Sequence, residues 1–482
     1  MENSKAIEKI GLKKVMLFGS GDMFGGGAQV IVSFFYLVFL TDIVGLTPSL
    51  AGVIVLLARI WDAISDPLMG IITDKTKSKW GRRRPYFLAG FFMIILAYTL
   101  LWSTIPLGTQ GVKFTFALFT YLFYSTVITM VMVPYSAMST EVTFDYEERN
   151  SVNGTRLFFS QLASLLGAVL PLTIVGLFSD VILGYNLMGL FFGIFFAVPF
   201  LFIFLFVKEK EGLQHDEKFS IKTFVKPFKV KTFRRLIGIY IGAYITMDVV
   251  SAIIAYHLRY YYNRPGEITI VLGILLLSVI AALPIIVVFG ANRLGKGKTF
   301  AIGAVVALIG VITLAFLPRT VPTYVIYIVA VVAGLGLAPC TVMPWLMFPD
   351  ATDAGELAFK MRNAGSFSGI MTFVRKLSSA IGIFLVGLFI DLGGYVQPLT
   401  EQVDGVWVTT YFTQPDSVFV AFKAIVALVP LILLVFGIIL ALKYPLNKER
   451  HIKLRLHLDA LKNHQESPLS KQEIEELESE LI

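Results

Sequence analysis

A single cysteine, Cys340, stands in 482 residues, so no intrachain disulfide can form and no paired-thiol metal or redox site exists. Charge is scarce. Asp, Glu, Lys and Arg make up 15% of the chain, too little to coat a water-soluble protein of this length. The five histidines lie in loops, at the ends of apolar runs and in the tail, without metal-ligand spacing. No nucleophile motif, phosphate loop or zinc signature occurs, which speaks against an enzyme, and no cofactor is expected. A cleaved leader is not expected. The first apolar run, 15–40, is too long for a signal-peptide core and lacks a small-residue cleavage site.

What the chain has in excess is apolar surface. It is 56% hydrophobic, with a mean hydropathy of +0.76, and its apolar runs recur near the roughly 20 residues that cross a bilayer as a helix. The net charge of +8 is not a nucleic-acid signal, because the basic residues cluster in a few loops, as they do where a membrane protein faces the cytoplasm. Spans are expected at about 15–40, 49–73, 86–105 and 114–138, with a fifth after the charged segment 141–156 and a sixth ending at 207. Six more fall at about 236–257, 268–291, 299–317, 322–347, 367–391 and 417–443. The loops at 41–48, 179–186 and 392–416 carry no basic residue and are read as external. The organisation expected is an all-α membrane protein. Its parts are a six-helix bundle (1–207), a cytoplasmic connector (208–235), a second six-helix bundle (236–443) and a cytoplasmic tail (444–482). It would sit in the cell membrane as a monomer, with both termini inside.

The halves share punctuation. Asp74…Lys79-Trp80-Gly81-Arg82 after span 2 matches Asn292-Arg293-Leu294-Gly295-Lys296 after span 8. Pro134-Tyr135 to Glu141 matches Pro344-Trp345 to Asp350, and Arg149-Asn150 matches Arg362-Asn363. Duplicated halves place a substrate site near mid-membrane, where rocking exposes it to each side in turn.

The stretch 59–85 organises the chain. Asp62 and Asp66 sit four apart in an apolar run, hence on one helical face. At membrane depth such carboxylates are costly unless a cation meets them. That marks a small-cation or proton site, whereas a structural reading makes them helix-end carboxylates near headgroups. Asp22, Arg59, Asp248, Arg375 and Lys376 are the other charges placed within spans. Asp248 could be a second-half substrate contact, but a structural, pore-lining role fits it better. Tyr135, Tyr256 and Trp345 could stack on a ring-shaped ligand, but an interfacial or packing role is the better reading of each.

Trp61-Asp62-Ala63-Ile64-Ser65-Asp66-Pro67 followed by Gly81-Arg82-Arg83-Arg84-Pro85 resembles the glycoside–pentoside–hexuronide:cation symporter family, the melibiose permease-like branch of the major facilitator superfamily. The likeness continues in Gly21-Asp22, Thr41-Asp42-Ile43-Val44-Gly45-Leu46, Val133-Pro134-Tyr135, Asn153-Gly154-Thr155-Arg156, Pro349-Asp350 to Glu356 and Phe373-Val374-Arg375-Lys376-Leu377, and so covers both halves. The resemblance implies a major facilitator fold of twelve helices that couples H+ or Na+ to a sugar. It implies cation binding by Asp62, Asp66 and Thr129; if the ion is Na+, Asp62 and Asp66 are its metal ligands. It implies substrate binding by Asp22, Arg156 and Lys376, and gating by the loop of Asp74, Arg82 and Arg83. The pattern departs at span 4, where the family's Asp-Ile-Pro reads Met132-Val133-Pro134. Met132 offers no hard oxygen, and a position three residues past Thr129 is expected to face the same cavity as Asp62 and Asp66. Protons are then favoured over Na+, since hard cations want several oxygens.

Two other readings compete. The vertebrate sodium-coupled lysolipid symporters resemble the same family, and 41 phenylalanines would suit an apolar cavity. A non-transporting membrane sensor would need a recognisable domain in the tail. There, Ser470-Lys471-Gln472-Glu473 reads as a capping box opening a solvated acidic helix, while 451–458 fits no helical or strand period.

Overall fold

A computed structural model describes residues 11–105, 108–139, 142–143, 146–208, 225–360, 364–463 and 465–482. Among them are twelve helices long and apolar enough to cross a membrane: α1 (Leu12–Tyr36), α2 (Pro48–Lys75), α3 (Arg84–Leu101), α4 (Gln110–Met138), α5 (Asn150–Val175), α6 (Val181–Phe206), α7 (Lys231–Tyr261), α8 (Pro265–Ala291), α9 (Lys296–Phe316), α10 (Thr323–Phe359), α11 (Ser366–Leu392) and α12 (Asp416–Leu442). These match the twelve spans read from hydropathy. Arg362-Asn363 and most of the connector lie outside the described residues. The chain divides into two compact units. The first holds Met1–His215, Ile254–Gly273 and Ile383–Phe419; the second holds Asp216–Ile253, Ile274–Gly382 and Val420–Ile482.

In the first unit α2 packs on α4, α1 on α5, and α3 on both α4 and α6. Helix starts follow local chemistry. Pro48 opens α2, the Thr109 side chain accepts from the Val112 amide to cap α4, and Asp180 caps α6 through the Leu183 amide at 2.8 Å. The glycine run of α1 lets backbones touch. A methyl group added at Gly26 would lie 2.6 Å from the Ser160 carbonyl oxygen of α5. Past Tyr36 the helix continues as a π-helical turn, Phe39–Ile43, so the segment read as an external loop is still helical at Thr41 and Asp42. The expected loop 392–416 also has structure. Strands β1 (Leu399–Val403) and β2 (Val406–Thr410) pair antiparallel around Asp404-Gly405, both at positive φ (51° and 83°), the two-residue turn that suits strand twist.

In the second unit α9 packs on α10 and on α12. Those pairings repeat α3 with α4 and α3 with α6 six helices later, the structural counterpart of the repeated punctuation. The matched loops after α2 and α8 each turn on a left-handed glycine, Gly81 (φ 105°) and Gly295 (φ 85°), a conformation that a side chain would strain. Two tail helices follow, α13 (Lys448–Lys462) and α14 (Lys471–Leu481). The segment 451–458, which showed no period, is helical within α13. The capping box of α14 forms as read and its polar face is exposed, but the apolar stripe docks: Leu477 and Leu481 are buried, and Thr232 of α7 donates to the Leu481 carbonyl at 2.9 Å.

Candidate cation and substrate sites

The apolar faces of α2 and α4 bring the span-2 carboxylates against hydroxyls. Asp62 is buried; it accepts a short hydrogen bond from Ser125 and pairs with Arg59 at 3.3 Å. Asp66, half-buried, accepts from Thr129 at 2.7 Å. Ser65 donates to the Thr129 hydroxyl at 3.4 Å. Pro67 lies within α2 and has no amide hydrogen to give the Ala63 carbonyl, so that oxygen is released from the helix ladder between the two carboxylates. Arg59 also borders a small cavity with Ser33, Tyr36, Val55 and Tyr121.

Asp22 and Arg156 come together. Their charged atoms lie 3.2 Å apart, and the guanidinium sits 4.8 Å from the centre of the Tyr135 ring, held by a 2.8 Å hydrogen bond from Tyr135 to the Phe18 carbonyl. Met132 belongs to this set. A methyl group added at Gly25 would lie 2.7 Å from Met132 Cε and 2.9 Å from Asp22 Oδ1. The thioether therefore reaches α1 beside Asp22, a neighbour that the expectation of a cavity shared with Asp62 and Asp66 did not include.

In the basic loop, Arg83 is buried and pairs with the exposed Asp74 at 3.5 Å, while Arg84 donates to the Phe204 carbonyl of α6. Arg82 is half-buried. In the second unit Lys376 follows Arg375, which makes a two-pronged ion pair with the buried Asp248. The Arg375 guanidinium lies 4.7 Å from the centre of the Tyr244 ring, and Trp345 donates to the Tyr244 hydroxyl at 2.8 Å. Asp248 is thus compensated within its own unit, as the structural reading of that residue requires.

Sequence reasoning missed Asp42. It is fully buried and pairs with Arg259 at 2.6 Å. Both residues were read as lying just beyond their spans. The signal available was a Thr-Asp pair continuing an apolar run with no turn residue before Gly45.

A family model described as MFS/sugar transport protein matches residues 17–448, and the chain belongs to that family: it is a multi-pass major facilitator transporter. It is 25% identical to the glucuronide carrier protein homolog of Escherichia coli over 96% of this chain and 99% of that one. It is 26% identical to the sodium-dependent lysophosphatidylcholine symporter 1 of Mus musculus over 89% and 85%. Among solved structures, the inward-open xylose transporter XylE of E. coli superposes with a TM-score of 0.56 at 14% identity, over 88% of this chain and 95% of that one, a likeness of fold.

Proposed function

We propose that this transporter is a symporter that couples one cation, H+ or Na+, to a sugar of the glycoside, pentoside or hexuronide class. It works in the cell membrane with both termini in the cytoplasm. The observation that carries this reading is the division of labour along α4. Ser125 and Thr129 serve the carboxylates of α2, while Met132 and Tyr135 serve the Asp22–Arg156 pair. The first set offers two carboxylates of α2 and the hydroxyls of Ser125 and Thr129, oxygens that suit a cation at membrane depth. The second offers an acceptor, a donor fork and an aromatic face, which suits vicinal hydroxyls or a sugar carboxylate. Lys376 is a third substrate contact, proposed on its motif alone, and Asp74, Arg82 and Arg83 act in gating. The resemblance to a glucuronide carrier supports the sugar class. Resemblance to a lysophosphatidylcholine symporter favours a second reading, in which Arg156 meets a phosphate.

Counterflow into proteoliposomes decides between them. A glucuronide and a neutral pentoside are compared with lysophosphatidylcholine, each at several Na+ concentrations and pH values. Saturable, cation-dependent sugar counterflow is expected. Cation-dependent lysolipid movement with inert sugars would replace the sugar reading, and counterflow indifferent to both cations would remove the symport mechanism.

A further inference from the structure

Asp42 sits at the end of the first unit opposite the basic loop, across the length of α2. Its carboxylate is buried among four donors. Arg259 and Tyr260 reach Oδ2 at 2.6 and 2.9 Å; Tyr395 and Thr41 reach Oδ1 at 2.6 and 2.8 Å. The Tyr256 hydroxyl lies 2.7 Å from that of Thr41 and extends the chain. The π-helical turn carrying Asp42 is held from behind, since Phe39 packs on the rings of Trp102 and Tyr185 at 5.3 and 4.9 Å.

Three of the four donors come from elsewhere in the sequence. Asp42 follows α1 in the first half of the sequence. Arg259 and Tyr260 end α7, and Tyr395 follows α11, both in the second half. The hairpin β1–β2 runs on from that same point. Thr400 of β1 donates to the Asp42 carbonyl at 3.5 Å, the Tyr411 ring lies 4.9 Å from the Arg259 guanidinium, and the Trp407 amide donates to Asp180 at the start of α6 at 3.2 Å.

We infer that Asp42 is a latch and the β1–β2 hairpin a strap, which together close this end of the transporter and release when it opens. The inference rests on the transport reading above. A buried carboxylate that takes three of its four donors from the other sequence half has two stable conditions. It is either fully paired in the dry site or, with the helix ends apart, fully hydrated. A partly opened state leaves it unpaired and is costly, so the contact switches instead of stretching. A hairpin spanning from the end of α11 to the start of α6 must shift with the latch.

The test needs no substrate. In a Cys340→Ser background, Val55→Cys places a thiol at a buried position two turns inside the latch end of α2, and its reaction with a small polar thiol reagent is timed in nanodiscs. Asp42→Asn is expected to raise the labelling rate about tenfold, and Tyr395→Phe, which removes one donor, about threefold. Replacing 400–409 by a short Gly-Ser link should also raise it. If Asp42→Asn does not fold, Tyr395→Phe and the hairpin replacement decide. Unchanged labelling in the folded variants would overturn the latch. As a second arm, Ser49→Cys with Asp391→Cys replaces a hydrogen-bonded pair at the same end. Cross-linking it should halt counterflow and slow Val55→Cys labelling, with recovery on reduction. Counterflow that persists after complete cross-linking would make the contact static and refute the proposal. Labelling that responds while every sugar and lysolipid stays inert would leave the latch standing and remove the substrate reading instead.

Discussion

At the residue scale the two carboxylates of α2 are not equivalent. Asp62 is buried and neutralises Arg59, whereas Asp66 is half-buried and meets a neutral hydroxyl. Removing the charge at Asp62 takes an ionic partner from a guanidinium whose side chain is itself only 10% exposed. Asp62→Asn is therefore expected to lose cation-driven accumulation and also on the order of 1–3 kcal/mol of stability. Asp66→Asn should lose accumulation with stability nearly unchanged. Thermal unfolding of the purified variants beside gradient-driven uptake separates the two effects, and normal concentrative uptake in both would end the cation-site assignment. Arg156→Gln removes the charged donor between Asp22 and the Tyr135 ring. It should weaken sugar binding by about 1.5–3 kcal/mol, ten- to hundredfold, and unchanged affinity by calorimetry would take Arg156 out of the site. The geometry also reassigns Met132. Because its methyl end lies beside Asp22, Met132→Asp would set a second carboxylate against Asp22. It is expected to lower substrate affinity and leave the preference between Na+ and H+ as it was. A gain of Na+ stimulation in that variant would put position 132 back with the cation pair.

At the element scale the tail is the clearest case of structure built from local and remote signals together. The capping box of α14 was legible because it is a four-residue pattern, Ser470 to Glu473. The docking of α14 was not, because its end is held at the start of α7 by the Thr232 hydroxyl, 249 residues from the Leu481 carbonyl it donates to. Local signals were also passed over: Asp404-Gly405 between residues of alternating polarity is a hairpin turn. Glu473 shows how the tail should answer pH. Hydrogen bonds from the Ser470 backbone and the Lys453 ammonium lower its carboxyl from the ordinary 4.5 to about 2. A group lowered on folding contributes in full above its ordinary value and loses that contribution as pH falls towards the lowered one. The tail should hence be indifferent to pH from neutrality to about 4.5 and loosen below it. Glu473→Gln checks the sign. Hydrogen exchange across 471–481 should be faster in the variant at pH 6, and the difference should narrow clearly by pH 3 on its way to closing near pH 2. A gap that is unchanged at pH 3 would mean that Glu473 acts on the tail through something other than its charge.

At the scale of the whole molecule, hydropathy and charge gave the twelve helices, their repeat and the paired aspartates, because each is written within one span or one loop. Asp42 and Arg259 were hidden for the converse reason. Each looks like a solvated residue at a helix end until its partners arrive from segments more than 200 residues away. That placement has a consequence for how the protein distributes between states. If the Asp42 latch favours closure at one end, and the basic loop with its buried Arg83 favours closure at the other, weakening the two must act in opposite directions on one equilibrium. Distant substitutions add in free energy, so their factors multiply. In the Asp42→Asn, Val55→Cys background, where labelling is already raised, Arg82→Ala or Arg83→Ala is expected to bring the rate back towards the parent value. The effect of either should be modest, because Asp74 is 64% exposed at 3.5 Å from Arg83, and exposed pairs contribute at most about 1 kcal/mol, up to roughly fivefold in rate. A further rise in labelling would show that the loop and the latch close the same state, and the basic loop would then lose its role as the opposing gate.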